Sequence, residues 1–169
     1  MSISMHSASV PVIVRMLTNT LSWLDKAQAH AEARKFDTAN YLGLRLAPDM
    51  LPFSRQIQIA SDSAKGCVAR LSGQDAPKWE DNEATFDDLR ARIKKTIDYV
   101  QSVPAALIDG TEAREIVLPR PNGESVRFTG EDFLKHFALP NLFFHVTAAY
   151  MLLRHAGVAL GKTDYLKGG

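Results

Sequence analysis

The sequence predicts an all-α fold, a bundle of four main helices with a short helix and a small β-hairpin inserted before the last. Three observations carry this prediction. In four separate stretches the apolar residues recur at three- and four-residue steps, the period of a helix with one buried face. Prolines and glycines fall at the edges of those stretches, where helices start and stop. One Asn-Gly pair, Asn122-Gly123, lies between two short β-rich runs and marks a hairpin turn.

The first helix is predicted over residues 9–33. Val10, Ile13, Val14, Leu17, Leu21 and Leu24 form its stripe, and Pro11 places its start, because proline suits a first turn. Residues 36–48 read as a connector punctuated by Gly43 and Pro48. The second helix is expected from Asp49 or Leu51 to Leu71, with Pro52 in its first turn and Gly73 after its end. Phe53, Ile57, Ala60, Ala64, Val68 and Leu71 share one face, and Gln56 and Ser63 lie beside it. Residues 74–84 read as a polar loop. Thr85 and Asp88 then form a capping-box pattern, and Phe86, Leu89, Ile93, Ile97 and Val100 carry the third helix as far as Pro104.

The runs 115–118 and 125–128 flank the Asn-Gly pair, with two prolines lengthening the loop. A lone hairpin is marginal, so Ile116, Leu118, Val126 or Phe128 must rest on the helices. Thr129 and Asp132 repeat the capping pattern and open a short helix over 131–138. Pro140 reads as the start of the last helix, 140–155, closed by Gly157. The tail from 158 to 169 reads as turns anchored by Leu160, Tyr165 and Leu166. No linker divides the chain, so residues 1–169 are expected to form one domain.

Composition narrows the function classes. Twenty Lys+Arg face nineteen Asp+Glu, with both signs interspersed, so neither a nucleic acid nor a membrane partner is expected. The N-terminal segment lacks the basic start and small-residue cleavage site of a signal peptide. No apolar run has the length to span a bilayer, since Asn141, His145 and Thr147 interrupt the longest. The one cysteine, Cys67, has no partner for an intrachain disulfide. These features together predict a cytoplasmic protein.

The candidate site centres on His145. Asn141, four residues earlier, shares its helix face, and Gln56 on the second helix completes a polar group between two helices. An imidazole there can bind a metal, act as a base, or form one hydrogen bond in the core. The chain contains no H-x-x-x-H or H-E-x-x-H pair, and Cys67 falls near the apolar stripe of the second helix. The segment Gly157–Thr163 has the flavour of a phosphate loop, but it is one residue short and closes a helix instead of opening one. No catalytic residue is assigned by these patterns.

The run His145-Val-Thr-Ala-Ala-Tyr-Met-Leu-Leu-Arg154-His-Ala-Gly157-Val158 resembles the last helix of the DinB/YfiT-like proteins. The whole chain looks like a bacterial domain-of-unknown-function branch of that superfamily. The resemblance rests on Val10-Pro-Val-Ile-Val-Arg-Met-Leu17, Pro48-Asp-Met-Leu-Pro-Phe53, Leu139-Pro-Asn-Leu-Phe-Phe-His145 and Gly161-Lys-Thr-Asp-Tyr-Leu166. It implies an up-down four-helix bundle, a homodimer, and a divalent metal held by three histidines. One histidine would come from the second helix and two from an H-x-x-x-H in the last. Here His145 matches the second of that pair, Asn141 stands in place of the first, and residues 49–71 contain no histidine. The amide oxygens of Asn141 and Gln56 are poor substitutes for imidazole toward zinc or nickel. The expectation is therefore a bundle protein that binds a small molecule near His145, Asn141 and Gln56. No cofactor is expected beyond weak divalent metal binding at His145. The alternative is a degenerate metal-dependent hydrolase or thiol transferase.

Overall fold

The structure, a computed structural model, describes residues 3–119 and 122–167. The first helix, α1 (Met5–Arg34), starts a turn earlier than expected. Ser4 and Ser7 form a reciprocal cap: the Ser4 hydroxyl accepts the Ser7 N–H, and the Ser7 hydroxyl accepts the Ser4 N–H. Pro11 consequently lies inside the helix. The turn before it is held by that cap and by the Ser9 hydroxyl, which donates to the Met5 carbonyl at 2.7 Å. With those bonds in place, the missing N–H of Pro11 does not end the helix.

The connector contains a one-turn helix, α2 (Ala39–Leu42), that the sequence did not suggest. Its Tyr41 is buried, bonds His30 Nδ1 at 2.6 Å and stacks on Phe86. The second long helix, α3 (Phe53–Ser72), begins after Pro52, which is the extended residue preceding the helix and not part of its first turn. All six predicted stripe residues of α3 are buried. α4 (Phe86–Ser102) has the expected Thr85–Asp88 capping box. A further turn, α5 (Ala105–Ile108), follows it and buries Ile108.

Strands β1 (Glu115–Pro119) and β2 (Ser125–Thr129) pair antiparallel, with Ile116 opposite Phe128 and Leu118 opposite Val126. Ile116 and Leu118 are buried, while Val126 and Phe128 are half-buried. Gly123 in the turn has φ +83°, the conformation for which its Asn-Gly pair was read. Arg120 and Pro121 of the predicted loop lie outside the described residues.

The predicted boundary at Pro140 is not a break. Helix α6 (Gly130–Phe133), a π-helical segment (Leu134–Ala138) and α7 (Leu139–His155) form one continuous stretch of 26 residues. The Leu139 N–H bonds back to the Leu134 carbonyl, a five-residue step. This wider turn opens the backbone just before Pro140, whose ring would otherwise strike the carbonyl four residues back. The joined helix is thus long and apolar enough to cross a membrane by length and composition, contrary to the expectation from the interrupted run. In this structure it is a bundle helix: Leu142, Val146, Ala149, Leu152 and Leu153 are buried against its neighbours.

The four long helices form a ring in the order α1, α4, α3, α7, with α1 and α3 on the diagonal. Leu17, Trp23 and Leu24 of α1, Phe53, Ile57 and Leu71 of α3, and Leu89 and Ile93 of α4 all belong to one buried core. The tail forms a last short helix, α8 (Lys162–Leu166), where the sequence suggested only turns. It docks on α1: Asn19 Nδ2 donates to the Tyr165 carbonyl at 2.8 Å, Trp23 Nε1 donates to the Asp164 carbonyl at 3.2 Å, and Tyr165 stacks on Trp23. Leu166, expected as an anchor, is 61% exposed.

Candidate functional site

The contact between α3 and α7 is the most extensive in the bundle, and it contains the polar group singled out in the sequence. Small residues permit the close approach. Ala60 and Ala64 on α3 and Ala148 and Ala149 on α7 are all buried. Within this seam His145 is 8% exposed and Gln56 is 2% exposed. His145 Nδ1 lies 2.7 Å from Gln56 Oε1, and Gln56 Nε2 donates to the Leu51 carbonyl at 2.9 Å.

That pair of bonds assigns the imidazole tautomer. Because the Gln56 NH2 group donates to a carbonyl, its oxygen must accept, so His145 Nδ1 carries the proton. The Nε2 lone pair is then left free, and among the described residues nothing bonds to it. Burial lowers the His145 pKa, because the charged ring loses hydration without gaining an anion. At neutral pH the site therefore presents a fixed, uncharged imidazole with one acceptor nitrogen.

Asn141 does not join this pair directly. One turn back along α7, its Nδ2 donates to Ser63 Oγ at 2.7 Å. The two bonds run antiparallel: moving from Gln56 to Ser63 along α3 means moving back from His145 to Asn141 along α7. Asn141 and Ser63 line a cavity of about 220 Å3 with Asp62, Ile59 and Arg70; His145 and Gln56 do not line it.

The donor set does not fit a tightly held zinc or nickel. Among the described residues, no group of three His, Cys, Asp or Glu side chains converges. His145 Nε2 would be joined by amide oxygens, and Gln56 Oε1 is already committed to the imidazole. The other histidines are elsewhere: His30 bonds Tyr41, His136 and His155 are exposed, and His6 lies near the start of α1. Cys67 is buried, and burial pushes its thiol pKa up to about 12, so it is an inert core cysteine. In the segment that resembled a phosphate loop, the Gly161 N–H is taken by the Asp164 carboxylate at 2.9 Å.

Arg70 and Asp62 were not picked out from the sequence, although Gly66 in the middle of α3 was a usable signal. Glycine weakens a helix interior, so its presence there implies a close neighbour. That neighbour is Arg70, whose Nη1 donates to the Gly66 carbonyl at 3.0 Å.

The profile described as Domain of unknown function (DUF1993) matches residues 5–166. A crystal structure of a DinB family member protein from Shewanella denitrificans is 41% identical and superposes with a TM-score of 0.89. The match covers 97% of this chain and 92% of that one. No curated protein matches.

Proposed function

The chain belongs to the DUF1993 family and has the fold of a DinB family member, and from that premise we propose that it is a cytoplasmic small-molecule-binding bundle without a complete metal site. The observation that carries this reading is the His145–Gln56 bond. It orients a neutral imidazole and leaves Nε2 as an acceptor for a ligand hydroxyl or N–H. Asn141 and Ser63 add amide and hydroxyl groups in the adjoining cavity. A few polar groups in a mostly apolar setting are the usual make-up of a small-molecule site. Native mass spectrometry of the tag-free protein tests this. We expect a co-purified small molecule that is lost when Asn141→Ala or His145→Ala is introduced. A folded wild-type protein with no adduct would count against the reading.

One observation favours the second reading, a metal-dependent hydrolase or thiol transferase. Histidines that bind metal commonly donate their other ring nitrogen to an oxygen, as His145 donates to Gln56. The lack of companion ligands among the described residues keeps this reading second, with divalent metal held weakly at His145. The proposed partner is a second copy of the chain. Phe144 and Met151, seven residues apart on α7, are 59% and 48% exposed and form surface that a symmetric helix pairing would cover.

A further inference from the structure

Two neighbouring cavities, the two arms of a candidate cleft, lie between α3, the hairpin and the π-helical segment. The arms share Arg70 and Phe137. One arm, of about 290 Å3, is apolar and lined by Leu118, Pro119, Val126 and Phe128. The other is the polar cavity at Ser63 and Asn141. We propose that this cleft binds a small amphipathic monocarboxylate, with its apolar body beneath the hairpin and its carboxylate on Arg70.

Arg70 supplies the charge. Among the described residues, no carboxylate lies within ion-pair distance of its guanidinium. Asp62, the acid in the polar arm, is engaged by Lys65 at 2.8 Å and Arg92 at 2.9 Å, so it does not neutralise Arg70. Arg70 uses one N–H on the Gly66 carbonyl and retains others for the paired geometry that a carboxylate accepts. Among the described residues Arg70 is the one cation lining either arm, which suits a monoanion better than a doubly charged phosphate.

The backbone is shaped for this placement at two points. A Cβ at Gly66 would strike Arg70 Nη1, so the glycine is what lets the guanidinium lie along its own helix. On the facing side, π-helical turns are concentrated at functional sites, and this one places Phe137 at the cleft. Phe137 stacks on Phe133, and the Arg70 guanidinium sits 6.0 Å from the Phe133 ring, which gives the cation an aromatic floor. An apolar cavity of about 150 Å3 suffices for benzene, so the hairpin arm accommodates a ring with a short chain. The polar arm is the Asn141–Ser63 cavity of the proposed small-molecule site, but Arg70 and the hairpin arm hold the carboxylate and its apolar body without His145 or Gln56, which line neither arm.

The test is a titration of the full chain with phenylbutyrate, followed in amide proton–nitrogen correlation spectra, with neutral phenylbutanol as its match. Saturable shifts are expected around Gly66 to Arg70, in both strands and at Phe137. The alcohol should bind at least about tenfold more weakly. Arg70→Gln, at an exposed position, should weaken the carboxylate by about the same factor and abolish the difference between the two probes. Gly66→Ala, which displaces the guanidinium, should do likewise. No saturable binding, equal affinity for acid and alcohol, or shifts confined to other surfaces would overturn the proposal.

Discussion

His145 shows how a buried imidazole couples a candidate site to stability. Its pKa is lowered in the folded chain because burial penalises the charged ring. Above the unfolded value of about 6.5, both states are neutral and the group has no effect. As pH falls below that value, the unfolded chain takes up the proton first, so unfolding becomes easier until the folded pKa is passed. Urea denaturation from pH 7.5 downward should therefore show a loss of stability beginning near 6.5, and His145→Gln should remove that part of the loss. A wild-type curve flat across this window would mean that His145 is solvated in the folded state. At this scale the sequence was informative. Helical spacing put His145 and Asn141 on one face and Gln56 on the facing helix. It could not reveal that Asn141 pairs with Ser63 while His145 takes Gln56, because that choice depends on the stagger of α3 against α7. Arg70 escaped notice for a related reason, since a charged residue in a helix's last turn is ordinary until its neighbours are known.

Helices were legible where local chemistry decides them and less so where the backbone adapts. Thr85 and Asp88 form a cap from contacts within four residues, so the start of α4 could be read directly. Thr85→Ala should cost about 1 kcal/mol in a denaturant midpoint measurement, through loss of the hydroxyl that accepts the Asp88 N–H. An unchanged midpoint would mean that the end of α4 is held by packing of Phe86 alone. The two internal prolines were harder. Pro11, expected at a helix start, sits inside α1, whereas Pro140 does fall in the first turn of α7 as expected, but that turn continues without a break from a π turn. Both outcomes depend on what neighbouring turns can tolerate: the Ser4–Ser7 cap and the Ser9 hydroxyl near Pro11, and a five-residue hydrogen-bond step before Pro140. The short helices α2, α5 and α8 are too brief for periodicity to register, and burial of Tyr41 and Ile108 and docking of Tyr165 hold them.

Across the whole molecule, long-range contacts fix what the elements leave open. Arg92 is 4% exposed and gathers Asp62, Asp81 and Glu83, each at 2.9 Å, from α3 and the polar loop over 74–84. Burial works against its charge, but these carboxylates outweigh it and raise its pKa further. That network draws a segment without regular structure onto the bundle, which no local pattern announces. The apolar surface left on α7 bears on assembly. Sedimentation at micromolar concentration should give the mass of two chains, and Phe144→Glu should shift it toward one. A wild-type mass equal to one chain would show that the chain is a monomer and that Phe144 and Met151 are not covered by a second copy.

We propose that this DinB-like bundle has one imidazole at the α3–α7 seam and, among the described residues, lacks the further donors that would hold a metal tightly. Elemental analysis of the tag-free protein, purified without chelators, measures this most directly. Zinc and nickel are expected well below one per chain, with no further decrease in His145→Ala. Stoichiometric metal in the wild type that is released by His145→Ala would contradict it.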